Sequence, residues 1–241
     1  MSTRGKRPAD ANAPVGTALS GGGGGKAATK QPKSKSTLGA IVELVVIIAI
    51  ALCLALAIQA WIVKPYKIPS GSMEPTLVVG QRVLVDRIGT HFSGPSVGEI
   101  AVFHPPTGAS QQECGPVPHT VKYDGAACSA PIPDEDTGVN FIKRVVAGPG
   151  DEIYVKEGHV YRRAAGTTQF VREHDPYIRE CGASAECNFP TPIRIPAGHW
   201  FMMGDNRGES DDSRFWGPVP TSWIIGEAFA TYWPPDRIGF F

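Results

Sequence analysis

The chain has 241 residues, of which 42% are hydrophobic and 19% are charged. That length is enough for one domain of ordinary size together with accessory segments. The 23 Lys and Arg residues balance the 23 Asp and Glu residues. Net charge therefore identifies no partner, and we predict no nucleic-acid partner.

The N-terminal segment is rich in Gly, Ala, Ser, Pro and Lys and includes a glycine run at residues 21–25. It cannot bury enough apolar surface to offset the entropy of ordering, so we predict a disordered tail over residues 1–37. Its basic residues oppose a single acid, Asp10, and such a positive flank is expected to remain cytoplasmic, next to anionic lipid. These basic residues are Arg4, Lys6, Arg7, Lys26, Lys30, Lys33 and Lys35.

An apolar run follows the tail, with Glu43 and Gln59 as its interior polar residues. It is roughly 25 residues long, whereas about 20 are needed to span a bilayer. A cleaved secretory signal has a shorter apolar core of about 7–15 residues. The sequence therefore predicts a membrane helix over residues 38–63 in a single-pass cell-membrane protein, with residues 64–241 forming one extracytoplasmic domain.

Cysteine usage agrees with an oxidising compartment. Cys53 lies inside the apolar run, which leaves an even number for the exported domain. We predict two disulfides, each closing a short loop rich in Gly, Pro and Ala: Cys114 with Cys128, and Cys181 with Cys187. Zinc is a weaker alternative, because the cysteine spacings do not form paired C-x₂-C motifs and the histidines form no ligand pattern. No metal and no cofactor are predicted.

After residue 64, strand-like segments alternate with turns, consistent with 22 prolines and 28 glycines in the chain. The sequence predicts a mainly β fold, an antiparallel domain with long connections. A hairpin is expected to turn at residues 156–158, and a smaller β subdomain is expected over about residues 150–196. Residues 107–138 and 164–192 are predicted as long surface loops. The predicted strands are 82–85, 99–103, 141–146, 152–155, 159–161, 193–195, 200–203 and 223–233.

A serine-centred loop at residues 68–77 follows the membrane helix directly. An isolated Ser-Gly-Ser is most often an ordinary turn. Here prolines stiffen both sides, and Met73 and Leu77 need a core or a groove to pack against. A rigid loop that presents a hydroxyl suits a serine nucleophile. Histidine is the usual base, but none lies in a motif with a fixed acid: His91, His104, His119, His159, His174 and His199.

Lys143 is a better candidate for the base, because it lies among apolar residues in a predicted strand. By alternation, Lys143 and Arg144 must each share a face with hydrophobic neighbours. Burial would lower the pKa of Lys143. Holding it neutral near pH 7, against a reference pKa of about 10.4, costs roughly 4–5 kcal/mol, which a purely structural site would not retain. The alternative is an ordinary solvated lysine.

A polar segment at residues 204–214 is the third candidate. It could be an acidic, calcium-binding loop, but Arg207 and Arg214 offset its acids and the order of ligands does not match an EF-hand. An ion pair of Asp212 with Arg214 or Arg144, together with a Ser210 hydroxyl that hydrogen-bonds a buried amine, explains the composition better.

Taken together, these segments resemble bacterial type I signal peptidase, a membrane-bound Ser/Lys protease family, over residues 64–241. The resemblance implies that Ser72 is the nucleophile and Lys143 is the general base. Ser70 would join the Ser72 backbone N–H in the oxyanion hole, and Ser210 would orient the lysine amine. Asp212 and Arg214 would form a supporting ion pair. Positions that would line the substrate pockets are Tyr66, Ile68, Met73, Leu77 and Ile142.

The chain departs from the commonest family pattern at Gly208 and Glu209, where many members carry Asp-Asn. Its single anchor and the insertion at residues 107–138 also differ from two-anchor members.

The function implied is a membrane-anchored serine endopeptidase without cofactor, which removes signal peptides from translocated precursors by cleaving after small residues of the Ala-x-Ala type. Expected partners are the signal peptides of exported pre-proteins and membrane lipid, with proximity to the secretion translocon. Two alternatives stay open: a related Ser/Lys maturation peptidase, and a non-catalytic anchored β-domain that binds envelope proteins.

Overall fold

A computed structural model describes residues 36–116, 119–121, 125–130, 138–181 and 184–241. Except for its last two residues, the predicted tail lies outside the described residues. Parts of the two predicted long loops do so as well.

The first element is helix α1, Thr37–Trp61. Its segment Thr37–Gln59 is, by length and composition, apolar enough to cross a membrane, with a mean hydropathy of 3.1. Apolar side chains are exposed on all sides of the helix. Such a helix lacks the polar face that a water-facing helix carries. The helix ends two residues before the predicted boundary at residue 63, because Val63 already belongs to the first strand.

The described residues beyond α1 are mainly antiparallel β structure, as predicted. One curled sheet has the strand order β1-β2-β13-β3-β6-β11-β12, with β14 also paired to β13. A second sheet has the order β10-β7-β8-β9, and β4 pairs with β5. The strands in chain order are β1 Val63–Lys67, β2 Arg82–Asp86, β3 Ile100–Phe103, β4 Glu113–Cys114, β5 His119–Thr120, β6 Phe141–Ala147, β7 Glu152–Lys156, β8 His159–Arg163, β9 Val171–Arg172, β10 Phe189–Arg194, β11 His199–Met203, β12 Val219–Pro220, β13 Ile224–Trp233 and β14 Gly239–Phe240.

Each predicted strand overlaps an observed one, whereas β1 and several two-residue strands were not predicted. A two-residue strand is too short to show any periodicity. Strand β1 follows directly on an apolar helix and contains Pro65. A proline in the sequence argues against predicting a strand at that position. Proline is tolerated there because β1 lies at the edge of its sheet and pairs only with β2.

The predicted hairpin turn is present between β7 and β8, where Lys156 pairs with His159. Its two central residues, Glu157 and Gly158, have φ angles of 53° and 81°. Positive φ at both positions is the type I′ geometry that matches the twist of paired strands. The four-stranded sheet built on this hairpin extends from Glu152 to Arg194.

Among the residues that the structure describes, the hydrophobic core forms two clusters. The larger one joins residues of both main sheets, among them Phe103, Phe189 and Trp216. The smaller one includes Met73 and Leu77 from the serine loop, each fully buried. These loop residues therefore fasten the serine loop to the sheet. The remaining buried members of the smaller cluster are Ile68, Val83, Val85, Ile100, Val102, Ile142 and Ala228.

Both predicted disulfides are present, Cys114–Cys128 and Cys181–Cys187, and Cys53 is free. The Cys114–Cys128 segment packs against the polar segment at residues 204–214, since the Cys128 backbone N–H donates to the Arg214 carbonyl over 2.9 Å. Thus the insertion reaches the site region instead of extending away from it.

Candidate active site

The serine loop presents Ser72 on a single 3₁₀ turn, Gly71–Met73. The turn is closed by the backbone N–H of Glu74, which donates to the Gly71 carbonyl over 3.1 Å. In the next turn, the Leu77 backbone N–H donates to the Met73 carbonyl over 2.9 Å. Because Met73 and Leu77 are fully buried, the backbone around Ser72 has little freedom to move. Ser72 itself is 8% exposed.

Lys143 lies in the central strand β6, opposite Ala101 of β3. Its Nζ donates a hydrogen bond to Ser72 Oγ over 2.7 Å. Lys143 is only 5% exposed. Burial lowers its pKa from 10.5 to about 8, although the negative charge of Asp212 opposes this shift. The structure thus brings the predicted nucleophile and the predicted base into contact.

Arg144, the next residue of β6, is also buried and binds Asp205 through two hydrogen bonds. Arg144 Nε lies 2.9 Å from Asp205 Oδ1, and Nη2 lies 2.7 Å from Oδ2. Thr76 Oγ1 donates to the same Asp205 Oδ2 over 2.6 Å. Asp205 therefore ties β6 to the serine loop, a role that sequence reasoning missed. The sequence left Arg214 and Arg144 open as partners of Asp212. Arg144 is not that partner, because it binds Asp205.

Asp212 instead forms the predicted ion pair with Arg214, and both side chains are fully buried. Arg214 Nε and Nη2 donate to the two Asp212 oxygens over 2.8 and 2.9 Å. Burial alone would raise the pKa of Asp212, but the charge and hydrogen bonds of Arg214 lower it. Asp212 also caps helix α2, Ser213–Trp216, by accepting from the Arg214 backbone N–H. The polar segment is thereby held rigidly beside β6.

Asn206 is a second residue that sequence reasoning missed. Its backbone N–H donates to the Ser72 carbonyl over 3.0 Å, and its Nδ2 donates to the Gly71 carbonyl over 3.1 Å. Asn206 thus holds the serine turn through two hydrogen bonds to its carbonyl groups. The available clue was its place in a polar loop directly after a buried strand, where functional residues concentrate.

The two supporting serines are placed differently. Ser70 Oγ lies 3.4 Å from Ser72 Oγ. Ser210 Oγ is buried and has no hydrogen-bond partner among the described residues, so the predicted bond to Lys143 is not made in this arrangement. Gly204 packs against Ser210 and Ser72: a Cβ at this position would collide with both Ser210 Oγ and the Ser72 carbonyl oxygen.

A cleft of about 360 Å³ opens onto Ser72 and Lys143. Of the predicted substrate-pocket residues, Ile142 lines it. Ile68, Met73 and Leu77 are instead buried in the smaller core cluster, with half-buried Tyr66 packed against that cluster. The cleft is lined by Pro69, Ser70, Gly71, Ser72, Val139, Asn140, Phe141, Ile142, Lys143, Glu209 and Asp211.

Other titratable clusters lie apart from this cleft. His159 pairs with Asp175 over 3.0 Å, so one histidine does have a fixed acidic partner, which the sequence did not reveal. This pair is not part of the cleft lining. In the described part of the chain, no group of three or more His, Cys, Asp or Glu residues is arranged to hold a metal ion.

Comparison with known proteins gives consistent matches. The family model described as "Signal peptidase, peptidase S26" matches residues 41–233. The chain is 38% identical to "Probable signal peptidase I-1" of Synechocystis sp. over 83% of this chain and 86% of that protein. It is 34% identical to "Signal peptidase I" of Leptolyngbya laminosa over 88% of each chain. A crystal structure of a signal peptidase I from Enterococcus faecalis V583 matches 56% of this chain and 97% of its own at 18% identity, with a TM-score of 0.31, too low to support a fold comparison.

The family model covers well over half of the chain, and the two relatives are matched along most of their length. The chain therefore belongs to the signal peptidase family of serine endopeptidases, peptidase S26.

Proposed function

We propose that this chain is a membrane-anchored endopeptidase that removes signal peptides from translocated precursors with a Ser72–Lys143 dyad. The observation that carries the proposal is the 2.7 Å hydrogen bond between Lys143 Nζ and Ser72 Oγ. Burial lowers the pKa of Lys143 to about 8, so about a tenth of the amine is neutral at pH 7, far more than for a free lysine. A neutral amine at that distance can accept the serine proton.

The chemistry follows from this pair. Ser72 Oγ attacks the carbonyl carbon of the scissile bond while Lys143 takes its proton. The resulting ammonium then gives that proton to the leaving amine, which breaks the peptide bond and leaves an acyl-enzyme on Ser72. Lys143 next deprotonates a water molecule, which hydrolyses the ester and releases the signal peptide.

The oxyanion that forms during attack needs donors. We assign these to the Ser72 backbone N–H and the Ser70 hydroxyl, because Ser70 Oγ lies within 3.4 Å of the nucleophile. A donor in such a hole can contribute about 3–4 kcal/mol to catalysis. Ser210 stays our proposed orienting residue for Lys143, supported by a buried hydroxyl whose hydrogen-bonding capacity is unused among the described residues.

The substrate is expected to bind as an extended strand. Strand β11 pairs with β6 only at Arg144–Ala147, so Phe141, Ile142 and Lys143 have no partner from β11. These residues line the cleft, and an unpaired strand edge can accept an extended peptide. The restricted cleft favours small side chains at the two alanine positions of an Ala-x-Ala site, both of which precede the cut. We propose that Ile142 contacts them, with Tyr66, Ile68, Met73 and Leu77 forming the floor beneath.

The membrane arrangement is also a proposal. Helix α1 would span the bilayer, with residues 1–37 in the cytoplasm and residues 64–241 outside it as the catalytic domain. The length and hydropathy of Thr37–Gln59 support a spanning helix. Lipid contact and proximity to the secretion translocon follow from that placement, since the cleavage sites of precursors emerge at the same interface.

The test uses the full-length chain in detergent with a pre-protein that has an Ala-x-Ala site. Ser72→Ala and Lys143→Ala should each lower kcat/KM by at least about 10³-fold, as for other members of a catalytic unit. Ser96→Ala and Lys156→Ala, at exposed positions, are matched controls that should retain activity. Wild-type rates in either dyad variant would show the assignment to be wrong. Mass spectrometry of the product must place the cut after the second small residue, which separates this function from that of a maturation peptidase with another site.

A further inference from the structure

Two acidic side chains, Glu209 and Asp211, form part of the lining of the cleft that holds Ser72 and Lys143. Both residues are exposed, whereas Ser210 between them is buried. In this segment the two acidic side chains face solvent, whereas the Ser210 side chain faces the core. The acids are thus part of the catalytic cleft and not a separate surface cluster.

Both carboxylates are held by amide groups, which leave their charge intact. Gln112 Nε2 donates to Asp211 Oδ1 over 2.5 Å, and Asn206 Nδ2 donates to Glu209 Oε2 over 3.3 Å. Within the described ranges, no Lys or Arg forms an ion pair with either acid. The two carboxylates therefore keep their charge, with no Lys or Arg of the described residues in ion-pair contact.

Gln112 belongs to the insertion closed by Cys114–Cys128. It adopts a left-handed backbone conformation, with a φ of 57°, in which non-glycine residues are uncommon. In that conformation its side chain reaches across to Asp211. The insertion that distinguishes this chain from two-anchor members thus helps to fix one of the two acids.

The position of the acids relative to the scissile bond follows from the proposed mechanism. Lys143 must give its proton to the leaving amine, so the residues after the scissile bond lie on the Lys143 side of the cleft. Asp211 is close enough for its charge to act on Lys143. The segment that follows the cut consequently passes beside these carboxylates.

We propose that Glu209 and Asp211 are specificity-determining residues that favour precursors with a basic side chain, and disfavour those with an acidic one, at the first two positions after the cleavage site. This inference rests on the proposed function of the Ser72–Lys143 site. The acids act by attraction or repulsion across a partly solvated cleft, so the effect is moderate and is screened by salt.

The experiment compares peptides that share one Ala-x-Ala site and carry Lys, Gln or Glu at the first, and separately at the second, position after the cut. The full-length enzyme should show a kcat/KM about three- to tenfold higher for Lys than for Glu, on the scale of exposed charge pairs. This ratio should fall toward one in 0.5 M salt and in the Glu209→Gln/Asp211→Asn variant. Glu180→Gln removes an exposed charge outside the cleft and should leave the ratio unchanged.

Ratios are measured within one enzyme, so any effect of Asp211→Asn on the pKa of Lys143 cancels. A Lys-to-Glu ratio below about twofold at both positions overturns the inference, as does a ratio that the double variant keeps at the wild-type value. Failure of the wild-type enzyme to cut the Gln peptide after the Ala-x-Ala site would instead refute the proposed function.

Discussion

Lys143 and Ser72 are 71 positions apart in the chain, yet Lys143 Nζ lies 2.7 Å from Ser72 Oγ. Each is fixed by its own element: Lys143 by the middle of β6, and Ser72 by a turn whose apolar neighbours are fully buried. Their contact therefore depends on how the serine loop packs against the main sheet.

The pH dependence of catalysis should report the pKa of Lys143. Burial lowers that pKa to about 8, and only the neutral amine can act as the base. The value of kcat/KM should therefore rise about tenfold per pH unit below this pKa and level off above it. The measurement is a pH–rate profile on a neutral peptide. A rise centred near pH 10 would contradict a buried base.

Replacing Lys143 by Met should stabilise the fold while it abolishes activity. The pKa of Lys143 is lower in the folded than in the unfolded chain, so the folded state binds fewer protons between about pH 8 and pH 10.5. The free energy of unfolding therefore rises with pH across that window. Below pH 8 the buried, charged amine destabilises the folded state by the full amount, about 3 kcal/mol. Lys143→Met should raise Tm by several degrees at pH 7, as about 1 kcal/mol corresponds to roughly 2–4 °C.

The matched control is Lys156→Met, since Lys156 is exposed and should leave Tm nearly unchanged. An unchanged or lower Tm for Lys143→Met would show that the buried amine does not destabilise the fold.

Gly204→Ala should impair catalysis because the added Cβ collides with Ser210 Oγ and with the Ser72 carbonyl oxygen. Relief of the collision must displace the nucleophile turn or Ser210, and a displacement of about 1 Å can cost roughly 10²-fold in rate. Gly239→Ala, where nothing lies within 4 Å of the added Cβ, is the control. Wild-type kcat in folded Gly204→Ala would refute this close packing.

Asn206→Ala removes the side-chain donor to the Gly71 carbonyl but keeps the backbone donor to Ser72. We expect kcat to fall about fivefold with little change in KM, since a net hydrogen bond contributes about 1 kcal/mol. Asn206→Asp should be worse, because a carboxylate would then face the Gly71 carbonyl. Equal kcat values for wild type and Asn206→Ala would show that this contact does not position Ser72.

The disulfides can be counted by thiol titration. Denatured, unreduced protein should expose one thiol, Cys53, and reduced protein should expose all five cysteines. Replacing the Cys114–Cys128 pair by Ala should lower the free energy of unfolding by about 3 kcal/mol, and replacing Cys181–Cys187, which closes a shorter loop, by about 2 kcal/mol. More than one thiol in the unreduced sample would contradict the two bridges.

Much of the fold could be predicted because local patterns determine it. Uniform apolarity over residues 38–63 predicts a helix. Alternating apolar and polar residues between glycines and prolines predict the longer antiparallel strands. The positive-φ turn at Glu157–Gly158 follows from local turn chemistry. The short strands and β1 could not be predicted, because their existence depends on a partner strand distant in sequence.

Local sequence patterns were enough to single out Ser72 and Lys143 as candidates, but they left both Arg214 and Arg144 open as partners of Asp212. The tertiary structure was needed to show that Arg144 binds Asp205, that Asn206 holds the serine turn, and that Met73 and Leu77 belong to the core and do not line the cleft. These facts depend on which loops the sheet brings together. The burial of Lys143, which lowers its pKa, results from the packing of these loops on the sheet and cannot be obtained from neighbouring residues in the sequence alone.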